Sequence, residues 1–475
     1  MNGQSNINEN ATIIETNNNA VNGQNKCPKC GSTDISLNSN GNLRCNFCRH
    51  EFTPQKLEGM EEDISKLEGT TVGSGAQDIT SDENILTLKC TSCGAEVVID
   101  TSTSTTARCH WCRSNLSINN KLPNGAIPDA VLPFYITKED AKESIEKFVG
   151  KRKFYAHPKF RKEFSTENIM GVYLPYMIID ASTHANYKGQ GEHQIRSYTR
   201  GTDDNERTYY DAELYDVERD FDLTITGLTV ESSKDKLDVK SKNKTTNIIN
   251  SIMPFDTENC VKWDANYLRG YTSEKRDINI NEIRGVVEQQ TADIARFAGN
   301  KTLEYYNRGV RWDNEKIEIK GQQWKAAYLP VWLYSYRQQK SDGKGLLHYV
   351  AVNARTKETM GSVPIHKPKL FLISFFIEIL GVILMALTLN NDNSWPYIFL
   401  ASGFVYYAVI YARYRNKGAR HKHEIETKTN MSNLRTEDNF VRTETGLTNS
   451  RIDGVNNINV SGEKFNFLKD IDIKF

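Results

Sequence analysis

Several things are scarce in this chain. It carries no surplus of charge: 60 Lys plus Arg stand against 60 Asp plus Glu in 475 residues. A dedicated nucleic-acid binder is more often basic overall, so the balance argues against one. Hydrophobic residues reach only 38%, low for one compact globule, which leaves room for linker and tail. Common catalytic signatures are missing too: there is no Walker phosphate loop, no GxGxxG after a strand, no HExxH and no GxSxG. Residues 1–25 hold nine asparagines and almost no large apolar groups. They lack the basic start and apolar core of a signal peptide. They cannot bury enough surface to offset their ordering entropy, so 1–25 is expected to be disordered.

Cysteine is also sparse, but its placement is not random. Eight of the nine cysteines fall into four Cys-x-x-Cys pairs, leaving Cys260 alone. The first set is Cys27, Cys30, Cys45 and Cys48; the second is Cys90, Cys93, Cys109 and Cys112. The pairs within a set stand 14 and 15 residues apart. A Cys-x-x-Cys pair makes a tight knuckle whose two thiolates face one ion, and two knuckles complete a tetrahedron. The pattern predicts two four-cysteine zinc ribbons, 26–52 and 87–118, in a reducing compartment, with redox-active dithiols as the rival reading. Four thiolates per site point to closed structural zinc, two Zn2+ ions in all, rather than catalytic zinc. His50 and His110 flank ligands and read as surface histidines. Each ribbon is too small for a core of its own, so metal is expected to supply its folding energy.

Long apolar runs occur only late. Residues 370–389, LFLISFFIEILGVILMALTL, contain one charge, Glu378. Residues 395–412, WPYIFLASGFVYYAVIYA, contain none. Five polar residues lie between them. The pattern predicts a two-helix transmembrane hairpin over 369–413. Lys367 and Lys369 precede it, and Arg413, Arg415, Lys417, Arg420 and Lys422 follow it. Positive residues stay cytoplasmic, so the reading is a cell-membrane protein with two spans and both termini in the cytoplasm. The basic run at 413–423 also suits anionic lipid. Glu378 reads as a link between helices, within the hairpin or between subunits of a homo-oligomer.

Between ribbons and hairpin, residues 119–366 predict an α+β body with antiparallel sheet. An apolar-Pro-apolar motif recurs at Leu132-Pro133-Phe134, Leu174-Pro175-Tyr176, Met253-Pro254-Phe255 and Leu329-Pro330-Val331. Two copies extend to YLPYMIID at 173–180 and YLPVWLYSY at 328–336. The reading is an internal duplication, with each proline at a strand start or edge. Thr137 to Asp140 resembles a helix cap, and 281–306 is the longest helical candidate. The stretch 53–86 reads as an acidic, Gly-containing linker, and 414–475 as a basic then polar flexible tail whose FNFLKDIDIKF end reads as a docking strand. His184 and His193 are placed on neighbouring strands. The cluster GKRKFYAHPKFRK at 150–162 reads first as a solvated helix end with snorkelling side chains, and otherwise as a contact for nucleic acid or lipid headgroups, lipid being the better of those two.

The double ribbon, INSIMPFD ending at Asp256, YLPVWLYSY, AVNARTKETMGSVP at 351–364 and the late hairpin resemble a family of bacterial membrane proteins carrying transcription-factor-IIB-type zinc ribbons. The resemblance covers roughly residues 26–415. Members of that family look associated with phage-shock-type and flotillin-like (SPFH) proteins in envelope-stress operons. It implies a non-enzymatic membrane adaptor that recruits cytosolic protein partners, with no catalytic residue to carry over. The alternative is a membrane-tethered nucleic-acid-binding protein. A third, weaker reading is an enzyme of unnamed substrate.

Overall fold

The computed structural model describes residues 11–14, 16, 27–32, 34–38, 42–77, 85–90, 96–100, 108–111, 113, 116, 121–122, 128–200, 207–232, 252–268, 270–276, 278, 280–339, 345–388, 395–415, 432–434 and 441–453. Two long strands, Met170–Arg200 and Gly309–Gln339, form its axis. They run antiparallel from Met170 opposite Leu333 to Glu192 opposite Gly309. Their Val, Ile, Leu, Tyr and Trp content favours the pleated conformation. Further strands join them, giving a sheet of fifteen strands among the described residues. It is mixed rather than purely antiparallel, because several short strands pair in parallel.

The two Tyr-Leu-Pro motifs meet face to face. Tyr173 opposes Pro330, Leu174 opposes Leu329, and Pro175 opposes Tyr328. A local two-fold axis therefore passes between the leucines. Neighbouring pairings obey the same axis. Ser273 pairs in parallel with Tyr173, and Val131 does so with Tyr328. Glu231 pairs with Tyr176, and Asn353 with Val331. Even the next hydrogen bonds match: the Ser232 amide donates to Pro175 O and the Ala354 amide to Pro330 O, both at 3.2 Å.

This arrangement corrects the expected place of the prolines, which stand mid-strand in the centre of the sheet. Each occupies the break where the outer neighbour changes. On one long strand the flank passes from Ala130–Val131 to Gly345–Asn353; on the other it passes from Thr272–Glu274 to Arg207–Glu231. Within a strand, a residue's N–H and C=O face the same side. The Pro330 carbonyl faces this break, so the amide hydrogen that proline lacks has no ladder partner to lose.

Alternation of side chains gives the sheet two working faces. Tyr173, Met177, Ile179, Trp324, Tyr328 and Trp332 point to one. Helix Lys138–Gly150 covers part of it with Ala141, Ile145 and Val149. Helix Ile280–Asn300 covers the rest with Ile283, Val287, Ile294 and Ala298. The first helix begins as its sequence suggests: the Thr137 hydroxyl accepts from the Asp140 amide at 3.2 Å. The opposite face, with Leu174, Tyr176, Ile178 and Leu329, packs against Leu88, Cys90, Val97, Cys109 and Trp111 of the second ribbon.

The second ribbon is thus no separate module. Its strand Glu96–Asp100 pairs through Val97 and Val98 with Thr272–Glu274, so it continues the main sheet. The expected linker also contributes structure: Gly69–Gly73 lies parallel to the second long strand, with Gly69 beside Gly321. A Cβ at Gly321 would stand 2.2 Å from the Leu67 carbonyl carbon, so only glycine admits this approach. Ala11–Ile14, inside the stretch expected to be disordered, pairs with Gly69–Gly73. In the expected flexible tail, Ser432–Leu434 and Val441–Asp453 pair with Arg207–Glu231. The FNFLKDIDIKF segment lies outside the described residues.

One buried carboxylate ties these additions together. Asp129 is fully buried and accepts from the Gly75 amide at 2.7 Å, the Ala326 amide at 2.8 Å and the Thr16 hydroxyl. Burial raises its carboxyl pKa, while these donors and nearby Arg276 oppose the rise. Arg276, also buried, donates to Gly75 O and Ala76 O. Asp129→Ala would strand two buried amides and remove the carboxylate near the buried Arg276 guanidinium. It should lower stability by about 3–5 kcal/mol, measured by chemical denaturation of the full chain in detergent.

Candidate metal centre and apolar helix pair

Chain geometry at the first cysteine set follows from two turns. Gly31 donates to Cys27 O at 2.8 Å and Arg49 to Cys45 O at 2.9 Å, each closing a Cys-x-x-Cys loop. Both closing residues are left-handed, with φ of 74° and 63°. Glycine takes that conformation freely; Arg49 takes it at some cost in strain. Three short strands, Ile35–Leu37, Leu43–Cys45 and Glu51–Phe52, hold the turns together. Ile35 and Leu43 are buried in the core that helix Lys138–Gly150 also covers, so this ribbon rests on the body.

The four sulfurs of Cys27, Cys30, Cys45 and Cys48 lie within 4.8 Å of one another. Cys27 and Cys48 are 3.5 Å apart, Cys30 and Cys45 3.6 Å. Tetrahedral thiolate coordination at about 2.3 Å places sulfurs about 3.8 Å apart, whereas a disulfide needs about 2.05 Å. The arrangement therefore fits a tetrahedral metal ion. The Cys48 amide lies 3.5 Å from the Cys45 sulfur. That amide chiefly, opposed by burial and helped by the Phe47 amide, lowers the Cys45 thiol to about 6. At Cys30 the Ser32 amide favours the thiolate. Burial and the three neighbouring cysteines outweigh it, and the thiol is pushed up to about 12. A divalent cation would relieve that crowding of negative charge.

Of the second set, Cys90 and Cys109 are described and buried, while Cys93 and Cys112 lie outside the described residues. The closing turn is nonetheless repeated: Arg113 donates to Cys109 O at 2.8 Å with φ of 63°. His110 is not the surface residue expected. It is buried against the body, 3.4 Å from Thr272 Oγ1, and burial pushes its imidazole down to about 3. His50 is partly buried and stacks on Phe52. Cys260 is partly buried and joins the second ribbon's core, where burial pushes its thiol up to about 12. His184 and His193 share one strand rather than adjacent ones. His184 contacts Asp222 at 3.0 Å, and His193 contacts Tyr305 O at 2.7 Å, so the two do not form one site.

The late apolar runs differ from expectation in one respect. Lys367–Thr388 is a continuous 22-residue helix whose most apolar 18-residue stretch has mean hydropathy 2.7, long and apolar enough to cross a membrane. It is the one such helix among the described residues. The second run opens as a 3-10 helix, Trp395–Ala401, and becomes α-helical only at Ser402–Arg415. Those 14 residues rise about 21 Å, short of a bilayer core of about 30 Å. Pro396, which lacks an amide hydrogen, stands in the 3-10 turn.

The two segments pack closely at glycines. A Cβ at Gly381 would meet Ser402 Oγ at 2.3 Å, and one at Gly403 would meet Ser374 O at 2.3 Å. Glu378 Oε2 accepts from the Gly403 amide at 2.7 Å. It thereby satisfies an orphan donor in the first turn of the second α-helix. The residue sequence reasoning placed between helices does link them, through a backbone amide that no side-chain pattern announces. Arg413 is exposed at the foot of the pair; Arg415 ends the helix, and Lys417 lies outside the described residues.

Cys45→Ser should lower the bound metal of the purified full chain by one ion, counted by plasma mass spectrometry. Cys45 has a depressed pKa, so its thiolate is present at neutral pH and is lost as pH falls through about 6. Metal retention at this centre should therefore fall on acidification, never on alkalinisation up to about pH 8.

No family model matches the chain, and no solved structure does. The sequence is similar to the uncharacterized protein YdjG of Bacillus subtilis (strain 168), with 23% identity over 364 residues, 77% of this chain and 96% of that protein.

Proposed function

We propose that this chain is a membrane-anchored zinc-ribbon adaptor that recruits cytosolic protein partners to the membrane surface. In this reading both cysteine sets hold Zn2+, and the apolar helix pair enters the bilayer with both termini cytoplasmic. The matched registers around Leu174 and Leu329 support descent of the body from a duplicated unit. The resemblance to zinc-ribbon membrane proteins supports partners of the phage-shock or flotillin-like class.

The observation that carries the anchor is the helix Lys367–Thr388. Only 17% of its most apolar stretch is buried, and Phe371, Phe375, Phe376 and Leu387 are exposed. Apolar surface costs about 25 cal/mol per Å2 in water, so such a helix favours lipid. The adaptor role draws on the first ribbon. Phe47, between Cys45 and Cys48, is 80% exposed on a metal-stapled turn. An aromatic held rigidly in solvent suits a protein-binding anchor. For nucleic acid the same ribbon offers less: Arg44 lies 3.8 Å from Glu51, which offsets its charge.

Quantitative affinity capture from detergent-solubilised membranes tests the reading. Phe47→Ser, which spares every cysteine, should reduce recovery of the chain's main protein partner at least fivefold while the chain stays in the membrane fraction after alkaline carbonate washing. Unchanged partner recovery would remove the adaptor role. Release of the native chain by carbonate would remove the anchor.

A further inference from the structure

The basic, aromatic segment 150–162 keeps its cations in solvent, as expected, but is not free of the rest of the chain. It docks on the foot of the apolar helix pair. The His157 amide donates to Pro364 O and the His366 amide to Tyr155 O, both at 2.8 Å, so 155–157 is zipped to the chain entering helix Lys367–Thr388. Tyr155 and Tyr406 join hydroxyls at 2.5 Å, and the Tyr155 amide donates to the Tyr414 hydroxyl at 3.1 Å. Tyr414 in turn donates to Arg152 O. Lys369, in the first turn of the apolar helix, donates to Phe154 O at 2.8 Å and sits 3.8 Å from the centre of the Phe154 ring.

These contacts fix the height of the segment at the start of the apolar helix. Phe154 is 60% exposed there. Around it Lys151, Lys153, Lys159, Arg161 and Lys162 are exposed, and no acidic residue lies between 150 and 162. Among the described residues none of these five cations forms an ion pair. Lys367 and Arg413 are exposed at the same foot. Aromatic rings and cations at this level are the features that settle at a lipid headgroup layer.

We propose that residues 151–162 form a headgroup-binding collar, in which the five cations hold anionic phospholipid and Phe154 enters the interface. The five cations are distinct in sequence from the basic run at 413–423, and the collar rests on the membrane reading above. Its geometry implies more than attraction. Because Tyr155 is hydrogen-bonded to His366, which leads into the first segment, and to Tyr406 and Tyr414 of the second, lipid bound by the collar presses on the joint between body and anchor.

The test uses the full chain in neutral detergent, titrated with dioctanoyl phosphatidylglycerol or dioctanoyl phosphatidylcholine and read by native mass spectrometry. The native chain should prefer phosphatidylglycerol. A variant with Lys151, Lys153, Lys159 and Lys162 all changed to Gln should bind it about tenfold or more weakly, since each cation near an anionic surface strengthens binding about fivefold. The matching Lys→Arg variant should keep the affinity, and Phe154→Ser should weaken it severalfold. Equal binding of both lipids, or an unaltered affinity in the Gln variant, would overturn the collar while leaving the anchor intact. So would a Gln variant that loses affinity for a DNA or RNA oligomer but not for phosphatidylglycerol. Carbonate release of the native chain would overturn anchor and collar together.

Discussion

The pairing of residues 173–175 with 328–330 is the constraint from which the rest of the body follows. Two long antiparallel strands pair there with leucine opposite leucine and each proline opposite a tyrosine. Proline cannot donate to a ladder, and neither strand keeps one outer neighbour along its whole length. Each outer flank must change hands at the proline, and it does so at equivalent positions on both sides. That break brings Ala130–Val131 and Thr272–Glu274 into the sheet centre. Both helices then fall on one face, and the second ribbon is left the other.

Metal and sheet consequently have different shares in the two ribbons. The first has a small strand set of its own and touches the body through Ile35 and Leu43. Its four sulfurs converge on three short strands with a small core, so an ion bound there would supply much of its folding energy. In the second, Cys90, Val97, Cys109 and Trp111 sit in the core beneath the long strands. Hydrophobic burial there does part of what a bound metal would do in the first. A similar division appears at the helix pair. Glycines allow close approach, and Glu378 closes a backbone gap that the 3-10 to α transition opens.

Much of this was legible in the sequence where the signal is local. Cys-x-x-Cys spacing found the four-sulfur cluster, hydropathy found the apolar helix, and the repeated Tyr-Leu-Pro found the two strands that pair. Non-local facts were not legible. Gly189 and Gly191 carry weak strand propensity, yet they lie inside a 31-residue strand. Their missing side chains make room for the Arg311 backbone and the Tyr306 ring. The Asn-rich start and the acidic linker carry weak propensity, but Ala11–Ile14 and Gly69–Gly73 are recruited by a sheet edge that already exists. Burial of His110 depends on a ribbon docking that no spacing reveals. The second apolar run had the composition of a span, but composition does not specify where an α-helix begins.

Hydrogen exchange of the full chain in detergent, followed by mass spectrometry before and after metal chelation, tests most directly the claim that the paired strands organise the body. The slowest amides should lie in 172–180 and 324–333 and should stay slow after chelation, while residues 43–52 lose protection. Loss of protection at 172–180 and 324–333 in step with 43–52 would contradict the account, because metal rather than the strand pairing would then hold the body together.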